Sequence, residues 1–303
     1  MIDITHKYST LRSATASATV KVSKAETIEA LINNEVPKGN VFEMAKTAGL
    51  FGVKKTAEMI PDCHPLPIEE TKVEYEVNGL EITILMHVKT IYKTGVEVEA
   101  MHGVSVVALT MYDMLKPIDK GIEVNNIRLV KKKGGKSDFA KKVRDNITAS
   151  VIVCSDTISA GQKEDKAGIA IQEKLESYGV DVITYAVIPD EKKAIEVELL
   201  NAVSDRIDLV IYTGGTGLSK RDVTPDTILP LLDREIPGIM EASRKFGQDR
   251  TPYAMLSRGV AGVKDETLVI TLPGSTKGAI ESMDAIFPAT LHLYSIFKGK
   301  RHD

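Results

Sequence analysis

The chain has 303 residues, of which 43% are hydrophobic and 27% charged, and its formal net charge is −3. This length exceeds the roughly 100 to 200 residues typical of one domain, so two domains are expected. The composition excludes a disordered chain, and no apolar run approaches the roughly 18 residues that a membrane-spanning helix needs. A nearly neutral charge also gives no general basis for binding nucleic acid or an anionic membrane.

The two cysteines, Cys63 and Cys154, are far apart in the sequence and neither belongs to a CxxC pair. This spacing argues against a disulfide framework and against a structural zinc site, so reduced thiols are expected. The first ten residues, MIDITHKYST, lack a basic stretch followed by an apolar one, and therefore carry no mark of secretion. The sequence predicts a cytoplasmic protein.

The first half of the chain has the patterns of an α+β domain. Apolar and polar residues alternate on both sides of Asn78-Gly79, a pair suited to a type I′ turn, which predicts an antiparallel hairpin over residues 71–88. Apolar residues at helical spacing predict helices over 25–33, 41–60 and 97–115, and residues 126–130 are expected to form a strand. Helices around a hairpin indicate a ferredoxin-like domain, an antiparallel sheet with helices.

The stretch that follows, KKKGGKSDFAKKVRDN from Lys131, is basic and poor in large apolar residues, as is typical of a linker or a mobile catalytic tail. We place the domains at residues 1–145 and 146–303. A nucleic-acid role would rest on the basic residues of this linker, but only Phe139 is available there to stack on bases. No nucleic-acid partner is therefore expected.

In the second half, apolar runs of strand length alternate with helical patterns. Strands are predicted over residues 150–155, 180–188, 207–213 and 267–273, and helices over 165–178, 191–203 and 277–297. Such alternation predicts a parallel sheet with right-handed crossovers. The C-terminal domain is thus expected to be α/β, with a doubly wound and mostly parallel sheet.

Two features of the first half carry candidate chemistry. Asp113 and Lys116 are three residues apart on a predicted helix, so they share one face and suit an acid–base pair, although an ordinary surface ion pair has the same spacing. His64 lies between Pro61 and Pro65, whose rings fix its direction, and a structural histidine remains the alternative. Neither Cys63 nor His64 has partners at zinc-ligand spacing.

Six short strings in the first half occur in a characteristic order: KGN, KK, IPDCHPL, GVEVEA, YDMLK and GGK. In this order residues 1–137 resemble the MoaC family of cyclic pyranopterin monophosphate synthases. The resemblance implies conversion of 3′,8-cyclised dihydro-GTP into cyclic pyranopterin monophosphate with release of pyrophosphate. It implies no metal or redox cofactor for that step. The chain departs from the family where Asn40 replaces the usual Asp.

The resemblance also implies residue roles. Asp113 and Lys116 become the catalytic acid and base pair, joined by Lys38. The remaining implied residues bind substrate: Arg12, Lys54 and His64 at the triphosphate, Glu97 and Glu99 at the guanine-derived ring, and Lys136 on the tail that closes over it. Converging cations stabilise a departing pyrophosphate, and a lysine beside other cations is expected to have a lowered pKa.

The second half carries a glycine-rich loop, TGGTG at residues 213–217, directly after a predicted strand. Such a loop brings backbone N–H groups close to a phosphate, although a structural turn is an equal alternative, and its spacing fits neither GxGxxG nor a Walker A loop. Asp222 and Asp226 follow the loop, and Asp190 follows another strand. These carboxylates suit Mg²⁺, whereas helix capping is the alternative for Asp222 and Asp226.

The strings SDTISAG, VIPDE, TGGTG, RDVTPD and LPGS make residues 148–298 resemble the MoaB and MogA group. The resemblance implies binding of molybdopterin and transfer of adenylate from ATP, with Asp190 and Asp222 as catalytic residues that also hold Mg²⁺. It further implies that the ligand crevice is lined by Ser155, Asp156, Gly214, Gly215, Thr216, Gly217, Glu241 and Ser275.

These resemblances together predict a bifunctional enzyme of molybdenum cofactor biosynthesis. The alternative keeps the synthase as the working enzyme and makes the C-terminal domain a non-catalytic pterin-binding or scaffolding module. The expected ligands are small molecules: a cyclised GTP derivative for the first domain, and molybdopterin and ATP for the second. Both resembled families form symmetric assemblies, and a shared threefold axis favours a homo-hexamer. Sequence does not show whether the sites lie between subunits, although the synthase site is expected to do so.

Overall fold

A computed structural model of the chain describes residues 1–135 and 146–297. The chain divides into two compact units between Asp138 and Phe139. The predicted boundary at residue 145 lies outside the described residues and stays a prediction, and so does the predicted role of Lys136. Among the described helices, none combines the length and the apolar character that crossing a membrane requires.

The N-terminal unit is a four-stranded antiparallel sheet covered by helices on one face. Its strands are β1 (Thr10–Lys21), β2 (Glu70–Asn78), β3 (Glu81–Tyr92) and β4 (Glu123–Lys133), in the order β2-β3-β1-β4. Its helices are α1 (Ala25–Ile32), α2 (Val41–Lys54), α3 (Thr56–Met59) and α4 (Glu97–Leu115). This order of strands and helices is ferredoxin-like, as predicted.

The hairpin around Asn78-Gly79 and the helix over 97–115 are confirmed. The single helix predicted over 41–60 is wrong, because it breaks between α2 and α3. There the Thr56 hydroxyl donates to the carbonyls of Gly52 and Val53, both at 3.0 Å, and so competes with the backbone. Strand β1 was not predicted, because its inward residues are mostly alanines rather than large apolar side chains.

The predicted linker begins too early. Lys131 to Lys133 belong to β4, where Lys131 pairs with Thr15 and Lys133 pairs with Ser13 of β1. Because β4 is an edge strand, its outer side is open to water, and lysines are common on such edges since they discourage pairing with another chain. The basic composition therefore marks an edge strand here, not a flexible connection.

Helices α2 and α4 pack closely through glycines. A Cβ atom on Gly49 would lie 2.3 Å from Val107, and one on Gly103 would lie 2.4 Å from Val53. The Thr56 hydroxyl also meets the ring of His102 at 3.1 Å. These contacts make the two helices antiparallel, so the end of α2 lies beside the start of α4. That packing fixes where the functional side chains of the unit can meet.

The C-terminal unit is a six-stranded, mostly parallel sheet with helices on both faces, as predicted. Strands β6, β5, β7 and β10 run parallel, and β9 pairs antiparallel with both β10 and β8, in the order β6-β5-β7-β10-β9-β8. The strands are β5 (Ile147–Cys154), β6 (Val180–Ile188), β7 (Leu209–Thr213), β8 (Arg234–Glu235), β9 (Ala261–Lys264) and β10 (Thr267–Leu272). Each face buries its own apolar core.

The helices of this unit are α5 (Asp156–Ser159), α6 (Ala167–Ser177), α7 (Lys192–Ser204), α8 (Thr224–Ile228), α9 (Pro237–Gln248), α10 (Thr276–Ile286) and α11 (Leu293–Phe297). The helix predicted over 277–297 is wrong, because α10 ends before Pro288. Proline has no N–H to donate and disfavours helical geometry in the residue before it. Helix α9 and strands β8 and β9 were not predicted.

Candidate functional sites

Asp113 binds two lysines at the C-terminal end of α4. Its carboxylate lies 2.7 Å from Lys116 Nζ and 2.7 Å from Lys38 Nζ, and Lys38 also donates to the Asp113 carbonyl at 2.8 Å. Lys38 comes from the loop before α2, where Asn40 accepts a hydrogen bond from Glu43 N at 3.0 Å and caps that helix. Because asparagine and aspartate are equally good caps, the departure at Asn40 preserves the loop that carries Lys38.

The hydrogen bond from Lys116, followed by that from Lys38, lowers the pKa of Asp113 to about 2. Asp113 in turn raises the pKa of Lys116. The expected lowering of the lysine pKa is therefore wrong for Lys116 in the single chain, since its nearest charge is a carboxylate and not another cation. At neutral pH Asp113 is therefore a carboxylate, and Lys116 beside it keeps its proton.

The second feature of this unit is a strongly basic cleft of about 320 Å³. Arg12 and Glu97 are among the residues that line it. Lys132 Nζ lies 2.9 Å from the Glu97 carboxylate at its wall. Gly135 has φ +108° and a Cβ there would lie 2.2 Å from the Arg12 guanidinium, so the glycine pair lets the chain pass directly over Arg12. The basic residues of the lining are His6, Lys7, Arg12, Lys93, Lys132 and Lys133.

Sequence reasoning missed Lys93 and assigned Lys132 to a linker. Lys132 lies in a run of three consecutive lysines after Leu129 and Val130, and this run is recognised as part of a strand only once its partner β1 is known. Both lysines bring positive charge to the wall that also holds Glu97. The cleft therefore suits a polyanionic ligand that also carries a hydrogen-bond donor for the Glu97 carboxylate.

His64 and Glu99 lie near the start of α4. Glu99 is only 2% exposed, and one of its oxygens accepts a hydrogen bond from the Cys63 thiol at 3.1 Å. Burial raises the pKa of Glu99. The His64 ring meets the Ile2 carbonyl at 2.8 Å, and Lys54 is exposed at the end of α2. The contact between Cys63 and Glu99 thus holds the turn that carries His64 against α4.

Helix α4 separates the predicted synthase residues into two groups. Glu97 begins the helix and Asp113 lies 16 residues later, which at 1.5 Å per residue is about 24 Å. The group at its start contains Arg12, Lys54, His64, Glu97 and Glu99, and the group at its end contains Lys38, Asp113 and Lys116. One copy of the described chain does not bring the two groups together.

In the C-terminal unit the loop after β7 is a close-approach turn. Gly214 has φ +104° and a Cβ there would lie 2.1 Å from the Cys154 carbonyl. Gly215 has φ +61°, and its Cβ would lie 2.3 Å from Thr224 Oγ1 and 3.0 Å from Asp190 Oδ1. Only glycine fits both positions, so the loop is built to bring its backbone against neighbouring loops.

Two aspartates from neighbouring strand ends meet beside this loop. The backbone N–H of Asp156 donates to Asp190 Oδ2 at 3.2 Å, and the N–H of Asp190 donates to Asp156 Oδ1 at 3.0 Å. The other oxygen, Asp190 Oδ1, is buried and makes no hydrogen bond. Burial, followed by the charge of Asp156, raises the pKa of Asp190 against the hydrogen bond from Asp156. A buried carboxylate oxygen without a partner attracts a cation or a donor.

Asp222 and Asp226 do not cap the following helix, so that alternative is wrong. Helix α8 has Val223 as its cap residue and no side-chain cap. Asp222 instead accepts a hydrogen bond from Ser219 N at 2.7 Å, and Asp226 pairs with Arg258 at 2.8 Å. Although burial raises the pKa of Asp222, hydrogen bonds from Ser219 and Gly217 lower it overall. Asp222 therefore stays ionised on the rim of the loop.

Two arginines that sequence reasoning missed organise the loop. Arg258 donates to the carbonyls of Gly217 and Asp222 as well as to Asp226. Arg221 contacts Asp156 through Nε at 3.0 Å and Nη2 at 2.5 Å, and reaches Glu191 at 3.4 Å. No spacing pattern in the sequence marks either arginine. The available signal is that each of them stands beside an acidic or glycine-containing string.

The other predicted lining residues lie in different surroundings. Ser155 caps α5 by accepting from Ile158 N at 3.3 Å, and Ser275 caps α10 by accepting from Gly278 N at 3.2 Å. Thr216 is buried in the loop, and its carbonyl accepts from Arg258 N. Glu241 is exposed on α9, and no hydrogen bond or ion pair within the described ranges ties it to the loop. Its role as a lining residue stays a prediction.

The residues present fit a magnesium ion only in part. Across residues 1–135 and 146–297, no three His, Cys, Asp or Glu side chains converge as a complete metal site. Mg²⁺ is commonly held by one or two carboxylates together with water and ligand phosphates, rather than by an all-protein cage. The unpartnered oxygen of Asp190 and the ionised Asp222 meet that smaller requirement.

Comparison with known proteins agrees with the two-unit architecture. The family described as the MoaC family matches residues 1–135, and the family described as a probable molybdopterin binding domain matches residues 150–292. A molybdenum cofactor biosynthesis bifunctional protein of Chlorobaculum tepidum is 39% identical over 302 residues, covering 100% of this chain and 96% of its own. Its counterpart in Synechococcus elongatus is 34% identical over 315 residues, covering 100% and 98%.

Each half also resembles single-domain proteins. A cyclic pyranopterin monophosphate synthase of Clostridium perfringens is 45% identical over 139 residues, covering 45% of this chain and 87% of its own. The crystal structure of the molybdopterin biosynthesis enzyme MoaB from Thermus thermophilus is 42% identical and covers 52% of this chain and 99% of its own, with a TM-score of 0.48.

Proposed function

Since this chain belongs to the family of molybdenum cofactor biosynthesis bifunctional proteins, we propose that its N-terminal unit is a cyclic pyranopterin monophosphate synthase and its C-terminal unit a molybdopterin adenylyltransferase. The proposal for the first unit is supported most by the cluster of Lys38, Asp113 and Lys116. The proposal for the second is supported by the glycine loop beside Asp190. The three proposed substrates are small and soluble, so a cytoplasmic location is part of the proposal.

The synthase converts 3′,8-cyclised dihydro-GTP into cyclic pyranopterin monophosphate and releases pyrophosphate. Lys116 carries the proton that it donates during the rearrangement, and Asp113 holds that ammonium in place. Lys38 fixes Asp113 through both its carboxylate and its carbonyl. The basic cleft around Arg12 binds the triphosphate, where the cations offset the charge that develops on the departing pyrophosphate.

The synthase site is proposed to form between two copies of the chain. Glu97 and Asp113 are about 24 Å apart along helix α4, so a small substrate bound beside one of them does not reach the other in the same copy. A second copy, placed with its α4 antiparallel to the first, supplies the cluster at the end of one helix to the cleft at the start of the other. Two identical sites then form across one twofold axis, and three such pairs around a threefold axis give the proposed hexamer.

In the C-terminal unit, a phosphate oxygen of molybdopterin attacks the α-phosphorus of ATP. A new P–O bond forms, the bond from the α-phosphorus to the bridging oxygen breaks, and pyrophosphate leaves. The backbone of Gly214 to Gly217 binds phosphate oxygens, and Asp190 and Asp222 hold Mg²⁺. When bound, Mg²⁺ neutralises phosphate charge on the nucleotide. Arg258 donates to the carbonyls of Gly217 and Asp222, and these hydrogen bonds keep the loop and Asp222 in a fixed geometry.

Charge supports the need for a divalent cation in this unit. Asp156, Asp190, Glu191 and Asp222 surround the crevice, and Arg221 is the cation that contacts two of them. A polyphosphate that enters such a negative crevice alone is repelled. A divalent cation held by Asp190 and Asp222 would offset this repulsion by neutralising phosphate charge on the nucleotide.

The test is a pair of reactions on the purified full chain. Cyclised dihydro-GTP is scored for pyranopterin product, and molybdopterin with ATP and Mg²⁺ is scored for adenylylation, each repeated with Lys116→Ala and Asp222→Ala. We expect wild type to perform both, and each substitution to abolish only its own reaction. Synthase activity alone would make the C-terminal unit a pterin-binding or scaffolding module, and the absence of both reactions would overturn the proposal.

A further inference from the structure

Arg221 bridges three loops of the C-terminal crevice. It follows the glycine loop in sequence, and its guanidinium contacts Asp156 after β5 and Glu191 after β6. The side chain is 58% exposed, so it can leave these partners without opening the core. A guanidinium forms paired hydrogen bonds with a carboxylate and equally well with a phosphate. Arg221 therefore has a partner of the right kind in the protein and another on the proposed ligand.

One carboxylate oxygen in the same crevice has no cation or donor as a partner. Asp190 Oδ1 is buried and makes no hydrogen bond, and it is Asp190 Oδ2 that accepts from the Asp156 backbone. Thr224 is fully buried, and its hydroxyl lies with Asp190 Oδ1 around the same point beside Gly215. Arg221 covers Asp156 but leaves Asp190 Oδ1 without a donor or a cation.

We propose that Arg221 is an exchangeable counter-ion: it occupies Asp156 in the free protein and moves to the nucleotide phosphates when the divalent cation and the nucleotide bind. This inference rests on the proposed use of a Mg²⁺–nucleotide by this unit. A divalent cation on Asp190 lies close to Asp156, since the two aspartates are joined by reciprocal backbone hydrogen bonds. It therefore competes with Arg221 for that carboxylate and repels the guanidinium, which the phosphates then accept.

The exchange predicts effects of opposite sign on two ligands. Removing the guanidinium frees Asp156 and takes away a positive charge, so the metal alone binds more tightly. The same change removes a phosphate-binding group, so the metal with a nucleotide binds more weakly. A merely structural ion pair would weaken both, because loosening the three loops disturbs Asp190 as well.

The experiment measures binding to the full-length protein. Mn²⁺, a stand-in for Mg²⁺, is titrated by electron paramagnetic resonance, and an ATP analogue with a methylene bridge between the α- and β-phosphorus is titrated by calorimetry with Mn²⁺ at saturation. We expect Arg221→Gln to tighten Mn²⁺ binding by about threefold and to weaken analogue binding by about tenfold or more. Arg221→Lys keeps the positive charge but loses the paired N–H donors of the guanidinium. Its affinity for each ligand should lie between those of Arg221→Gln and wild type.

Two controls identify the site. Lys220→Gln removes the same charge one residue away, and Lys220 contacts no carboxylate within the described parts of the chain, so it should leave both affinities near wild type. Asp190→Asn should abolish the Mn²⁺ signal that is assigned to this crevice. The melting temperature of each variant, measured without ligand, shows that the fold is retained.

The inference is overturned if Arg221→Gln weakens Mn²⁺ binding or leaves it unchanged, if Lys220→Gln reproduces its effects, or if wild type binds no Mn²⁺ at this site. Failure of the proposed function gives a different result. A protein that shows the opposite-sign effects but transfers no adenylate keeps the exchange and loses the adenylyltransferase proposal.

Discussion

Gly215 is under two constraints at once: its φ of +61° disfavours any side chain, and a Cβ there would strike Thr224 Oγ1 at 2.3 Å. Gly161 provides a matched comparison, because it has φ +70° with nothing within 4 Å of its Cβ position. The left-handed backbone costs a non-glycine residue about 1–2 kcal/mol at either site. Any further loss of stability on substituting Gly215 therefore measures the contact of the new Cβ with Thr224 and Asp190.

We predict that Gly215→Ala lowers the affinity for the ATP analogue by at least about tenfold, since the loop must shift away from both buried oxygens. Gly161→Ala should cost about the backbone strain alone and leave the affinity within about twofold. Calorimetric titration of both variants at saturating Mn²⁺ checks this. Equal affinities for the two variants would show that the close approach at Gly215 has no part in binding.

Asp119 is a buried carboxylate that the predicted site residues do not include. It is 1% exposed and accepts hydrogen bonds from Ser23 N at 2.8 Å, Thr27 Oγ1 at 3.1 Å and Gly121 N at 2.9 Å. Burial raises its pKa, but hydrogen bonds from Ser23, Gly121 and Thr27 outweigh burial and lower it to about 2. Its charged form therefore ties the start of α1 to the turn before β4.

This lowered pKa predicts a pH dependence of stability. A carboxylate whose folded-state pKa lies below the unfolded value stabilises the fold above about pH 4, and that stabilisation is lost as pH falls towards 2. Its size is on the order of 2 kcal/mol. Asp119→Asn should be less stable than wild type at pH 7, with a smaller difference at pH 3. Urea unfolding with pulse hydrogen-exchange mass spectrometry, which reports each unit separately, measures both; a constant difference would refute the link.

At the scale of elements, the crossing of α2 and α4 depends on glycine. A Cβ on Gly103 would lie 2.4 Å from Val53 and 3.1 Å from Met86. Helix propensity alone favours alanine over glycine by about 1 kcal/mol, so it predicts that Gly103→Ala stabilises the unit. Packing predicts that Gly103→Ala destabilises the unit instead, so the sign of the measured change separates helix propensity from packing.

We predict that Gly103→Ala destabilises the N-terminal unit by about 2 kcal/mol, because overpacking forces the helices apart. Adding Val53→Ala removes the methyl groups that the new Cβ would meet, so the double variant should be more stable than the sum of the single effects by about 1 kcal/mol. The same unfolding experiment gives all three values. Additive effects would show that the two residues do not meet at the crossing.

Element boundaries also show where sequence patterns were sufficient. The helix over 97–115 and the hairpin at Asn78-Gly79 follow from apolar spacing and turn chemistry among near neighbours. Strand β1 was not predicted because alanine, serine and threonine carry no strong signal, and its central position is decided by its pairing with β3 and β4. Pro288 was overlooked inside a long helical pattern that it ends.

At the scale of the whole molecule, the separation of Glu97 and Asp113 along α4 predicts complementation between copies. Glu97→Ala and Asp113→Ala chains are each expected to be inactive as synthases. When the two are unfolded, mixed in equal amounts and refolded, half of the paired copies are unlike, and one of their two sites is intact. Synthase activity should then recover to about a quarter of wild type.

A mixture of Lys116→Ala and Asp113→Ala chains is the matched control, because both substitutions fall in the same cluster and no pairing restores an intact site. Activity in that control mixture, or none in the Glu97 and Asp113 mixture, would contradict a site shared between copies. Adenylylation should be unchanged in both mixtures, since none of the three substitutions lies in the C-terminal unit.

The sequence by itself determined the two units, their fold classes and most of the helix and strand positions, because these depend on periodicity, glycine and proline among neighbouring residues. It also indicated the glycine loop and its acidic neighbours. Only the tertiary structure decided which of those groups meet. Arg221 and Asp156 are 65 residues apart in the chain, and the lysines of β4 belong to a strand only because β1 lies beside them. Contacts between distant residues are set by packing, which no local pattern records.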